Sequence, residues 1–219
     1  MFIPDYLKNT EPGVYVRREP VSNESIYMIE IYRSAMLKIL QSDKPHYERL
    51  LLEALEKMPS LIGAYKKAAS PGGGHPKFES AIMGVDHVTV YDMITDFYKE
   101  TQPDFLSLFP QVEIEYQKMS LGNPFKIKNA DVVCFIHFLE HCQSWDKVVD
   151  WINLQNKDIV LYGPNIEAAQ NMDWHHFHGH NVDHNVFFTI EAIERVATAA
   201  GYTCQSFAYS DDMLVWMRC

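Results

Sequence analysis

The chain is short of positive charge. Against 29 aspartates and glutamates stand 19 lysines and arginines, for a formal net charge of -10. Such a surface offers no general attraction to phosphate backbones or anionic membranes, which disfavours bulk nucleic-acid binding. Long apolar runs are missing too: no stretch approaches the roughly 18 residues that a membrane span needs. The opening MFIPDYLKNT has no basic segment ahead of an apolar run, so the expected setting is the cytoplasm. The four cysteines, Cys134, Cys142, Cys204 and Cys219, form no CxxC pair and no framework spacing, which argues against a disulfide scaffold or a zinc ribbon.

What is present is an ordinary folded composition. At 219 residues, 47% hydrophobic and 22% charged, the chain suits one α/β domain with a small appendage. Three prolines in Met1 to Pro20 predict an extended arm. Two helices should follow. The first has Ile29, Tyr32, Met36 and Ile39 on one face; the second starts at Asp43 and Pro45, buries Tyr47, Leu51, Ala54, Leu55 and Met58, and stops at Pro59. The expected division is an arm and helical extension over 1–59 and a larger domain over 60–219.

From Ser60 short apolar runs alternate with helical segments, as in βαβ units on a mostly parallel sheet. The predicted strands are His87 to Tyr91, Val112 to Tyr116, Asp131 to Ile136 and Asp158 to Tyr162. Ser144 should cap a crossover helix with Trp145, Val148, Val149 and Ile152 on one face. Thr189 should cap a last helix with Ile193, Val196, Ala197 and Ala200 on its apolar face, ending at Gly201. Two strand-like runs around Ser210, Asp211 and Asp212 predict a terminal antiparallel hairpin.

Within Asp131 to Asn165 an aspartate opens an apolar strand, His137 and Leu139-Glu140-His141 follow it, and the next strand ends in Pro164-Asn165. Downstream, FFTIEAIERVATAAGY is a Phe-Thr pair, a helix and an Ala-Gly-Tyr end. Together these resemble the fourth strand, fifth strand and last helix of class I S-adenosylmethionine-dependent methyltransferases, and the likeness extends from Asp86 to Cys219. The resemblance implies a Rossmann-like three-layer α/β sandwich with a mostly parallel sheet and a C-terminal antiparallel hairpin. It also implies S-adenosylmethionine as cofactor and methyl transfer to oxygen or nitrogen of an acceptor, with a small molecule expected. In an open parallel sheet, ligands sit beyond the carboxyl ends of the strands, which is where His137, Glu140, His141 and Asn165 fall.

The same family places a glycine-rich turn after its first strand and an acidic residue after its second. SPGGGHP supplies Gly72, Gly73 and Gly74, and VTVYD ends at Asp92, 20 residues beyond Gly72. By the resemblance these four residues, Ser120 beside the adenine, and His137 bind the cofactor. The sequence departs from the pattern where Ser70 replaces an acidic residue that helps hold the cofactor's ammonium group. Ser120 is likewise uncharged where an acid is common, and Lys66 and Lys67 precede the turn where a central strand is normally apolar.

The stretch from Asp173 to His184 holds His175, His176, His178, His180 and His184. It matches neither HExxH nor a two-plus-two finger spacing, and no metal site is assigned from it. Three readings stand: acceptor-binding or general-base histidines, solvated histidines, and metal ligands. By the resemblance the first is preferred, with His180, His184 and His141 as the catalytic candidates. Two other functions are compatible with the sequence: an inactive methyltransferase-like binding protein, and a metal-dependent hydrolase or lyase built on the histidines.

Overall fold

The structure is a computed structural model and describes residues 4–20, 44–120, 122–170 and 183–219. The helix expected over 22–40 lies outside the described residues. A three-stranded antiparallel sheet joins β1 (Leu7–Glu11), β2 (Val14–Arg17) and β8 (Val186–Phe188) in the order β1-β2-β8. The expected extended arm is therefore a hairpin. Its turn holds Pro12 and Gly13, the latter at φ +76°, and Val14 and Val16 alternate inward.

Seven strands form the main sheet: β3 (Lys67–Pro71), β4 (His87–Asp92), β5 (Glu113–Lys118), β6 (Val132–Ile136), β7 (Asp158–Pro164), β9 (Thr203–Tyr209) and β10 (Asp212–Arg218). Their order is β5-β4-β3-β6-β7-β10-β9. β3 runs parallel to β4 and β6, and β4 runs parallel to β5. β10 returns antiparallel to both β7 and β9. The expected Rossmann-like α/β class and terminal hairpin are both found, and the order reverses beside β3, the topological switch point of an open α/β sheet.

The chain divides into two compact units. One comprises the N-terminal hairpin, Gly122–Lys126 and the described part of Phe135–Cys219; the other runs from α1 (Lys44–Lys57) through Ser120 and adds Ile127–Cys134.

In the second of these units α1 buries Leu50, Ala54 and Met58, one helical turn apart, while Leu55 is 45% exposed. The expected stripe is thus rotated by about a residue. β3 is short: Lys67 starts it with an exposed side chain and Ala68 and Ala69 are its buried apolar part. The lysines that broke the apolar pattern therefore mark the strand's entry. The Asp131 carboxylate fixes that entry by accepting the Lys66 and Lys67 amides at 3.2 and 2.9 Å. α2 (Thr95–Leu108) connects β4 to β5 and contains Pro103.

In the other unit the caps form as expected. Ser144 accepts the Lys147 amide at the start of α3 (Trp145–Asn153), and Thr189 accepts the Ala192 amide at 3.1 Å at the start of α4 (Ile190–Ala199). α3 buries Trp145, Val148, Trp151 and Ile152, and α4 buries Ala192, Ile193 and Ala197. Trp151 lies edge-on to Phe125, Phe135 and Phe138, which makes it an aromatic centre of the core.

Candidate functional site

The first candidate region belongs to the unit that holds β3, β4 and β5. Three parallel strands end side by side, and each leads into one of the predicted cofactor segments. The Gly72 amide donates to Tyr91 O at 2.8 Å, and the Met119 amide donates to Asp92 O at 2.9 Å. The glycine turn, Asp92 and Ser120 are therefore neighbours at the carboxyl ends of their strands. Gly72 and Gly74 take φ of +64° and +56°. Gly73 is required for a different reason: a Cβ there would stand 1.9 Å from Ser70 Oγ. Only a chain without side chains makes this turn.

Asp92 is half-buried at the end of β4, and its Oδ1 accepts the Ile94 amide at 3.0 Å. Burial raises its pKa, opposed by the Ile94 and Met93 amides. Ser120 is exposed. His75, the histidine of the SPGGGHP run, is a core residue. It bonds Tyr116 at 3.0 Å and Thr101 at 2.7 Å, and stacks on Phe105 with centroids 5.1 Å apart. Burial, then Lys77, lowers its pKa to about 4.

Beneath this turn lies a residue that no sequence motif marks. Glu79 opens a π-helical turn, Glu79–Met83, and is 1% exposed. Burial raises its pKa to about 7, with the Ser70 hydroxyl opposing the rise. Ser70 Oγ and Glu79 Oε1 are both buried and, apart from the approach of the Ser70 hydroxyl to the Glu79 carboxyl, have no hydrogen-bond partner among the described residues. Buried polar atoms are nearly always satisfied, so such a pair fits a ligand that brings a hydrogen-bond donor. The only sequence signal was spacing: Glu79 falls three and four residues before the buried Ile82 and Met83, on the apolar side of its turn.

The second region belongs to the other unit. β6 ends at Ile136, and His137 follows with φ +46°, its amide held by Tyr162 O at 2.8 Å. This left-handed residue turns the chain into the single 3-10 turn Leu139–His141. His137 Nδ1 lies 3.3 Å from Glu140 Oε1, and its Nε2 lies 3.9 Å from Asp212 Oδ2. Burial opposes protonation of His137, but Asp212, Glu140 and Asp211 raise its pKa to about 9. Burial alone would raise Glu140; His137, His141 and His184 bring it instead down to about 2. His137, predicted as a cofactor residue, is thus paired with carboxylates of its own unit.

His141 Nδ1 stands 3.3 Å from both the carbonyl and Oδ2 of Asp183. The His141 and His184 rings meet edge-on with centroids 4.7 Å apart. Burial, then His141, lowers the His184 pKa to about 4. Backbone bonds fix the arrangement: the Asn185 amide donates to Glu140 O at 2.8 Å, and Arg17 Nε donates to His184 O at 2.7 Å. Two of the three predicted catalytic histidines, His141 and His184, are therefore brought together. His180, with His175, His176 and His178, lies outside the described residues. Asn165 is buried and accepts the Glu167 amide at 3.1 Å, a turn-capping role.

No protein-family model matches this sequence, and no curated protein matches it. Solved structures do. An O-methyltransferase family protein from Burkholderia thailandensis superposes with a TM-score of 0.62 at 11% identity, over 89% of this chain and 60% of that one. DhpI, solved with SAM and HEP, gives 0.58 at 15% identity over 91% of this chain and 100% of that one. The small RNA methyltransferase HEN1 gives 0.57 at 14% identity, over 80% of this chain and 26% of that one. The chain thus spans about 60% of the Burkholderia protein's length. The fold is that of the class I S-adenosylmethionine-dependent methyltransferases, as the motifs from Asp131 to Tyr202 led us to expect.

Proposed function

We propose that the protein is a methyltransferase that uses S-adenosylmethionine to methylate an oxygen or nitrogen atom of a small acceptor. The observation that supports this best is the convergence of the glycine turn, Asp92 and Ser120 at the ends of β3, β4 and β5. Gly72 to Gly74 would let backbone approach the methionine portion, Asp92 would accept hydrogen bonds from the ribose hydroxyls, and Ser120 would bond the adenine. Ser70 Oγ and Glu79 Oε1 fit the ammonium group, so the acid absent from position 70 is supplied from position 79. The sulfonium supplies an already activated methyl group, which leaves the protein to bind, align and exclude water.

On the acceptor side we assign His141 and His184. His184 is held neutral by burial, so its lone pair is available at neutral pH to a proton leaving the acceptor. DhpI, solved with HEP, favours a small acceptor by analogy, whereas HEN1, a fold relative, is a small RNA methyltransferase. The net charge of -10 argues for the small molecule here. Among the described residues no helix is long and apolar enough to cross a membrane. We retain the sequence-based division into 1–59 and 60–219, and the cytoplasmic setting, as part of the same proposal.

Isothermal calorimetry with S-adenosylmethionine and S-adenosylhomocysteine tests the cofactor step. Saturable binding of one equivalent is expected, weakened tenfold or more in Asp92→Ala, which loses charged hydrogen bonds worth about 1.5–3 kcal/mol each. No heat from either ligand at millimolar concentration overturns the reading.

A further inference from the structure

Glu140, His141 and His184 present three donor atoms that all lie within 4.8 Å of one another. Metal bonds to imidazole nitrogen and carboxylate oxygen are about 2.1 Å long, so two donors on one ion stand at most about 4.2 Å apart. Small side-chain rotations close that difference. Two of the donors are almost fully buried: Glu140 and His184 are each 3% exposed. Glu140 Oε1 is a buried oxygen that His137 Nδ1 approaches to 3.3 Å as an ion pair.

The supporting groups are those a metal centre needs. Asp183 Oδ2 stands 3.3 Å from His141 Nδ1, which fixes the ring and leaves Nε2 as the ligating atom. The Glu140 and His184 backbones are pinned by Asn185 and Arg17. Gly163 faces the Glu140 carboxylate, and a Cβ there would already touch it at 3.5 Å.

We propose that Glu140, His141 and His184 bind one divalent transition-metal ion, with Asp183 as the positioning residue for His141. Two imidazoles and one carboxylate suit first-row ions such as Zn2+, Co2+ and Mn2+ better than Ca2+. Three protein ligands leave coordination positions open to water or to an acceptor oxygen, the arrangement of catalytic rather than structural centres. If the methyltransferase reading holds, an acceptor hydroxyl bound there releases its proton to solvent more readily. The ion then takes over the task assigned above to the two imidazoles. Metal binding itself does not depend on that reading.

The test uses the full chain, without an affinity tag, stripped with chelator and titrated with Co2+ in the absence of cofactor. Ligand-field absorption and calorimetry should both report one equivalent, displaced by Zn2+, with a rise in melting temperature. Glu140→Gln and His184→Asn should abolish the site, and Asp183→Asn should weaken it 10- to 100-fold. A chain with His175, His176, His178 and His180 changed to alanine should keep it. Absence of binding, full affinity in Glu140→Gln, or loss only in the fourfold variant overturns the proposal. If Glu140→Gln fails to fold, Asp183→Asn decides: unchanged affinity overturns it. Cofactor calorimetry without metal separates the two readings, since either result can be obtained without the other.

Discussion

Ser70 and Glu79 are buried side by side beneath the glycine turn, and apart from each other Ser70 Oγ and Glu79 Oε1 have no hydrogen-bond partner among the described residues. An ammonium group placed there stabilises ionised Glu79. Because burial holds the free carboxyl near a pKa of about 7, ligand binding below that pH must expel its proton. Calorimetry of S-adenosylhomocysteine at pH 6, in buffers of different ionisation enthalpy, should show release of on the order of one proton, and almost none at pH 8. Affinity should rise with pH across that interval. Glu79→Gln should bind more weakly and lose the dependence; a wild-type profile in that variant would remove Glu79 from the site.

Gly73 is fixed by the Ser70 hydroxyl that stands where its Cβ would be. Gly73→Ala should destabilise the turn by about 1–3 kcal/mol in urea unfolding, the usual cost of overpacking. Ser70→Gly removes both close atoms, so the double variant should recover most of the loss. Additive effects of the two changes would show that the contact is not the cause.

His75 predicts a pH dependence of stability. Its folded pKa of about 4 lies below the unfolded value near 6.5, so the unfolded chain binds more protons between those limits. The contribution is present above pH 6.5 and is lost as pH falls toward 4, on the order of 3 kcal/mol in all. Glu79 acts oppositely: its raised pKa stabilises the fold below about 4.5, an effect lost as pH rises through 7. The two must be separated. In Glu79→Gln the slope left between pH 4 and 6.5 comes from His75 and from His184, whose pKa burial and His141 likewise lower to about 4, so adding His75→Gln should lessen that slope in urea unfolding without flattening it.

Thr189 caps α4 through the Ala192 amide and receives the chain from Gly13, whose carbonyl accepts the Thr189 amide at 3.0 Å. Thr189→Ala should cost about 1 kcal/mol, while Thr189→Ser should retain most of the stability. Equal losses in the two variants, measured by thermal unfolding, would assign the effect to the lost methyl group.

Much of the fold was legible because its signals are local. Ser144 and Thr189 announce their helices by side-chain capping, and the buried run Val132 to Ile136 announces a central strand. The N-terminal hairpin was missed because Pro12 and Gly13 read as breaks in an arm, while the strand that completes the sheet, Val186–Phe188, lies far along the chain. α2 was passed over because Pro103 interrupts its pattern. For the site, the glycine turn and Asp92 could be found because the resemblance implies such a turn and an acid, and the sequence holds them 20 residues apart. Glu79 could not: its importance comes from burial beside Ser70, and the sequence shows only an acid among apolar neighbours. His141, Asp183 and His184 were likewise separate motifs until the Asn185 backbone and side-chain amides, donating to the Glu140 and His141 carbonyls, joined them.

The central claim is that the loops following β3 and β4 receive the adenosyl cofactor. Backbone amide resonances of the labelled protein, followed while S-adenosylhomocysteine is added, test it most directly. The account predicts saturable shifts concentrated at Gly72, Gly73, Gly74 and the amides following Asp92, abolished in Asp92→Ala. Saturable shifts confined to other parts of the chain, or none at millimolar ligand, would contradict it.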